Sequence, residues 1–111
     1  MKSGASVDIV DAAGYTPLHS AVAHGYADVV ALLLQAGSDP NKVDRGGLTP
    51  LHLAVRHRHF SAACVLLESG ANASAEDRDG WTPLRRAQSE EGLEDFAQLL
   101  SSRSAPIGRD R

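Results

Sequence analysis

Tyr15-Thr16-Pro17-Leu18-His19 returns as Leu48-Thr49-Pro50-Leu51-His52 and again as Trp81-Thr82-Pro83-Leu84-Arg85. Both steps are 33 residues. The register holds outward from these words. Asp11, Asp44 and Asp77 are equivalent, as are Gly14, Gly47 and Gly80, and Ala21, Ala54 and Ala87. Gly4, Gly37 and Gly70 share a further position. A turn and helix-start signature at one fixed period implies stacked units that bury apolar faces against their neighbours, not one closed core.

The residues of one unit predict a helix, a reversal, a second helix and a projecting hairpin. The Thr16 hydroxyl suits a helix N-cap, and Pro17 suits the first helical position, where its missing N–H costs nothing. Leu18, Ala21 and Val22 then recur at helical spacing. Gly25 supplies a positive φ to end this short helix. Val29, Val30, Leu32 and Leu33 mark the second helix, and Ala36-Gly37 stops it. Asp39-Pro40-Asn41 leads into the turn-rich tip Asp44-Arg45-Gly46-Gly47. The next unit repeats the pattern with Leu51, Ala54 and Val55, then Ala62, Ala63, Val65, Leu66 and Leu67.

Two departures stand out. Arg58 occupies the place of Gly25, so His57-Arg58-His59 marks either a strained turn or a functional surface. In the third unit Arg85-Arg86 replaces His19-Ser20 and His52-Leu53, and Ser89-Glu90-Glu91-Gly92 is one residue longer than its counterpart. Leu93, Phe96, Leu99 and Leu100 still give an apolar helical stripe there. A terminal unit with charges in place of apolar residues reads as a cap.

Composition excludes several classes of function. The hydrophobic fraction is 42% and the charged fraction 23%, as in folded soluble domains. A formal net charge of −3 gives no case for a nucleic-acid surface. The lone cysteine, Cys64, cannot form an intrachain disulfide and fits a reducing compartment. The start, Met1-Lys2-Ser3-Gly4, lacks the apolar core of a signal peptide, and no run is long enough to span a bilayer. The expected location is intracellular, in cytoplasm or nucleus. Catalysis finds no phosphate loop, no nucleophile constellation that survives the repeat register and no isolated carboxylate pair. His57-x-His59 with His52 and Cys64 invites a zinc reading, but the spacing offers no tetrahedral set, so neither metal nor cofactor is expected.

The recurring Asp-x-x-Gly-x-Thr-Pro-Leu-His words, with the Leu-Leu-x-x-x-Gly-Ala run that closes a unit, resemble the ankyrin repeat over nearly all of residues 4 to 103. The resemblance implies an all-α solenoid of stacked helix-turn-helix units with projecting hairpin loops. Its expected units are 11–43, 44–76 and 77–103, preceded by the tail of an earlier repeat or an extension over 1–10 and followed by a disordered tail over 104–111. His19 and His52 then become structural groups that bond toward the threonine hydroxyl and neighbouring backbone, a bond Arg85 cannot copy.

The resemblance also implies a non-enzymatic module that binds another protein or peptide in a concave groove lined by hairpin tips and first helices. Carried onto this chain, the partner-binding residues are Tyr15, Arg45, Leu48, Arg56, His57, Arg78 and Trp81, with Leu53, Arg86, Ser89 and Glu90 beside them. Tyr15, Leu48 and Trp81 share one register position and should form an exposed row among arginines, an anchor composition suited to an interface. A scaffold or adaptor is the leading expectation. The alternatives are an inhibitor that masks an enzyme or transcription factor, and the repeat segment of a larger enzyme or channel. The first unit has no helices before it, so the faces bearing Val22, Val29 and Leu33 should be less covered than their counterparts, with weak self-association as the consequence.

Overall fold

The computed structural model describes residues 9–104. Of the two flanking segments expected from the sequence, 1–10 and 104–111, all but Ile9, Val10 and Ser104 lie outside the described residues. Six helices follow in chain order: α1 Pro17–His24, α2 Ala27–Gln35, α3 Pro50–Arg56, α4 Phe60–Glu68, α5 Pro83–Gln88 and α6 Glu94–Ser104. They form an all-α solenoid of three helix pairs, with no strand among the described residues. Within a unit α1 packs on α2, α3 on α4 and α5 on α6. Between units the first helices α1, α3 and α5 form one layer, and the second helices α2, α4 and α6 form the other.

Each first helix starts as the sequence predicts. Thr16, Thr49 and Thr82 are N-caps in extended conformation, each followed by proline. In the first two units the cap is reciprocal. The Thr16 Oγ1 accepts from the His19 N–H at 3.2 Å, and the Thr16 N–H donates to His19 Nδ1 at 3.1 Å. Thr49 and His52 repeat this at 3.3 and 3.2 Å. Such a box satisfies two N–H groups that a helix start otherwise leaves unpaired. Thr82 receives only the Arg85 N–H, because arginine has no acceptor to return.

The hairpin tips are built by aspartate. Asp44 Oδ1 accepts the N–H groups of Gly46 and Leu48 at 2.8 and 2.9 Å, and Asp77 does the same for Asp79 and Trp81. Consecutive tips are then joined: the Arg45 N–H donates to the Ala13 carbonyl at 3.1 Å, and Arg78 Nε donates to the Arg45 carbonyl at 2.6 Å.

The core runs along the stack. Leu18, Val22, Leu51, Leu53, Val55, Leu66, Leu93 and Leu100 are all buried. The expectation of an under-covered first unit holds for its second helix and fails for its first. Val29 is 42% exposed against 1% for its counterpart Ala62, and Leu33 is half-buried where Leu66 is buried. Val22 is fully buried, like Val55. α1 packs on both α2 and α3, and Val22 lies in the same buried cluster as Val55.

Arg58 adopts φ 63°, the one non-glycine residue with positive φ among those described. The expected strain is therefore present, and it has a compensating contact. The guanidinium reaches the Glu91 carbonyl at 3.3 Å and the Glu90 carboxylate at 3.4 Å, bridging to the lengthened reversal of the third unit. Side chains 51% and 40% exposed make this a weak pair. The backbone cost, about 1 kcal/mol, is of the same size. Arg58→Gly is therefore expected to change stability by less than about 1 kcal/mol, and Arg58→Ala to be the less stable of the two, since alanine keeps the strain without the contact. Urea midpoints decide the order, and an alanine variant at or above the glycine variant would contradict this account.

Candidate protein-binding groove

The first helices and hairpin tips face one another across a cleft between the second and third units. Gly46, Leu48, His52, Arg56, Asp77, Asp79, Arg86 and Glu90 line a space of about 400 Å³. Leu48 and Arg56, both expected from the sequence, fall in it. Arg45 and Arg78 stand exposed on adjacent tips, and His57 is exposed at the end of α3.

Tyr15, Leu48 and Trp81 do not form a fully exposed row. All three are half-buried. Tyr15 stacks on His19 with ring centroids 5.4 Å apart, and Tyr15 and Leu48 pack against the core. Trp81 lies beneath two guanidinium groups, with Arg85 4.5 Å and Arg86 4.7 Å from the ring centroid. The reason is the tip itself, whose aspartate clamp draws the backbone of this position down to the helix start. Leu53, expected beside the groove, is fully buried because it faces the inner layer.

Two structural histidines join the helix starts to the tips, and one of them, His52, lines the cleft. With Nδ1 accepting from threonine, Nε2 carries the proton and donates across the unit boundary. His19 Nε2 reaches the Leu48 carbonyl at 3.1 Å, and His52 Nε2 reaches the Trp81 carbonyl at 2.8 Å. Each ring therefore ties one helix start to the tip of the next unit. Burial lowers both imidazole pKa values, against the partial opposition of those carbonyls and of nearby aspartates. His57 is also lowered, by partial burial first and then by the Arg56 and His59 charges. Desolvation raises the Asp77 carboxyl, but the N–H groups of Trp81 and Asp79 and the His52 and Arg86 charges outweigh it and hold it below the usual range. Arg86 Nη2 lies 3.6 Å from Asp77 Oδ2.

Sequence reasoning flagged the stretch that holds His59 and the break at Arg85, but it foresaw none of the three contacts that follow. His59 Nε2 donates to the Ala23 carbonyl at 3.2 Å, and the Asn72 N–H donates to Asn41 Oδ1 at 2.7 Å, so both join units. Neither position repeats its residue type, so periodicity carried no signal for them. Arg85 was visible as a break in the motif, but its place over Trp81 was not. Among the described residues no three His, Cys, Asp or Glu side chains converge as a metal site, and no helix is long and apolar enough to cross a membrane.

Comparison with known proteins agrees with this geometry. A family model described as ankyrin repeat matches residues 13–45, and one described as ankyrin repeats in many copies matches residues 33–87. An ankyrin repeat-containing protein of Schizosaccharomyces pombe is 42% identical over 41 residues, a stretch covering 37% of this chain and 20% of that protein. The chain thus matches only a fifth of that relative's length. The period of the sequence, the capped helix pairs and these matches together place the chain in the ankyrin repeat family, whose members generally serve as protein–protein interaction modules.

Proposed function

We propose that this chain binds a partner protein or peptide along the groove formed by its first helices and hairpin tips, in the manner of a scaffold or adaptor. The observation that carries this reading is the cleft between the second and third units. There an apolar side chain, Leu48, and two guanidinium groups, Arg56 and Arg86, converge beside the half-buried Trp81. Aromatic and arginine side chains held in partly desolvated places are the usual anchors of protein interfaces. Ankyrin repeats are typically binding modules and not enzymes, and the groove assembles no nucleophile with an adjacent base.

Trp81→Ala tests the proposal. It removes the anchor and the platform that orients Arg85 and Arg86. Affinity for a captured partner is expected to fall by about 2 kcal/mol with helical content retained. Full affinity in a folded variant would place the binding surface elsewhere, and loss of the helical signal would make Trp81 a structural residue.

A further inference from the structure

The two ends of the stack differ. At the first unit Tyr26, Val29 and Leu32 are exposed, Tyr26 and Leu32 each by more than half. Val29, Leu32 and Leu33 stand at i, i+3 and i+4 on α2, so they share one stripe. Tyr26, Val29 and Leu33 border an open hollow of about 390 Å³ against α1, and its lining holds no Lys, Arg, Asp or Glu. Asp28 stands outside it, in an adjoining hollow. In the second unit Ala62 and Leu66, the equivalents of Val29 and Leu33, are buried where α2 packs on α4. The far end has no such face. Val22 and Val55 are buried, but their equivalent Gln88 is exposed. Buried His19 and His52 give way to exposed Arg85, and buried Leu67 to exposed Ser101. The third unit is thus polar where the inner units bury apolar groups, as a cap is.

We propose that the open end is a homodimer interface, where a second copy of this chain meets the first through the stripe of Tyr26, Val29, Leu32 and Leu33 about a two-fold axis. The inference is independent of the groove reading. Three observations commit the face to a second copy. A two-fold contact sets a patch against itself, so a charged patch would repel its copy, and this lining carries no charged side chain. The alternative, head-to-tail stacking, would set the stripe against the end bearing Arg85, Gln88 and Ser101 and strip water from polar groups that gain no partner. Covering the stripe on two copies would also bury roughly 1,000 Å² in total, the lower edge for a specific interface, so a weak dimer is within reach of this face alone. The hollow and the cleft between the second and third units share no lining residue, so pairing leaves both clefts open. The dimer would then present two grooves to one partner assembly, with the gain in avidity that linkage gives.

The experiment is sedimentation equilibrium of the full chain from about 1 μM to about 1 mM. The apparent mass is expected to rise from 11.7 kDa toward twice that value and to stop there. Amide exchange at Tyr26, Val29 and Leu33 should slow over the same range of concentration. Val29→Glu and, separately, Leu32→Glu should each weaken pairing at least tenfold, because each buries a carboxylate against its own copy. Both side chains are exposed, so helical content and the urea midpoint at low concentration should hold, and either variant carries the test if the other misfolds. Gln88→Glu at the far end should leave pairing unchanged. A strict monomer at about 1 mM would overturn the proposal and leave the face to residues 1–8 or to a different protein. A dimer indifferent to both glutamates would overturn it by placing the contact elsewhere. A mass that climbs past two copies would overturn the two-fold arrangement, since head-to-tail contacts do not close.

Discussion

Gly47→Ala is expected to lower stability by about 3 kcal/mol, and the matched Gly80→Ala by only about 1 kcal/mol. Both glycines hold the same tip position, at φ 80° and 83°, so both replacements incur the left-handed backbone cost of a side chain. They differ in what the new methyl meets. At Gly47 a Cβ falls 2.9 Å from the Arg78 backbone nitrogen and 2.9 Å from its Cγ, because the next tip stacks there. Backbone that close cannot rotate away, so the tip must shift and strain its bond between Arg78 Nε and the Arg45 carbonyl. At Gly80 no atom lies within 4 Å. The pair therefore separates conformational strain from stacking. Urea midpoints with unchanged slopes provide the measurement, and equal losses at the two sites would mean that the tips do not stack tightly in solution. Gly14, whose Cβ would lie 2.9 Å from the Arg45 nitrogen, should behave like Gly47.

That contrast also shows what the sequence made legible. Period and motif reveal where each helix starts, because caps, proline and turn glycines act within a few residues of themselves. Arg58 could be flagged for the same reason, since positive φ is a local demand. Contacts between units were harder to read. Nothing in the spacing says that Tyr15, Leu48 and Trp81 sink halfway into the stack, or that Arg85 and Arg86 lie over one indole. Those outcomes depend on how far each tip leans on its neighbour, a property of two units at once. The groove was legible as a register position, and its depth only as a structure.

The second large effect concerns the histidines that join units. His52→Ala is expected to cost about 3 kcal/mol, since it leaves the buried Thr49 N–H without its acceptor, opens a void, and removes the donor to the Trp81 carbonyl. That carbonyl keeps the Asp77 N–H, so the loss falls mainly on the helix start. Arg85 shows why the third unit needs no such group: among the described residues no further tip stacks beyond it. The same geometry imposes a pH dependence. Protonating Nδ1 would place a proton against the Thr16 or Thr49 N–H, and burial disfavours the cation as well. Both imidazoles therefore titrate lower when folded than when unfolded. The unfolded chain binds more protons just below its usual imidazole pKa of about 6.5, so stability is complete above that value and is lost as pH falls through it. Asp77, held below the usual carboxylate range, stays ionised across this window and does not account for the loss. The urea midpoint is expected to drop between about pH 7.5 and pH 5, and to drop less in a His52→Gln variant that cannot charge. A midpoint that holds steady or rises on acidification would mean that these rings are protonated in the folded chain, and that the tautomer joining one unit to the next is not the one drawn from the threonine bonds.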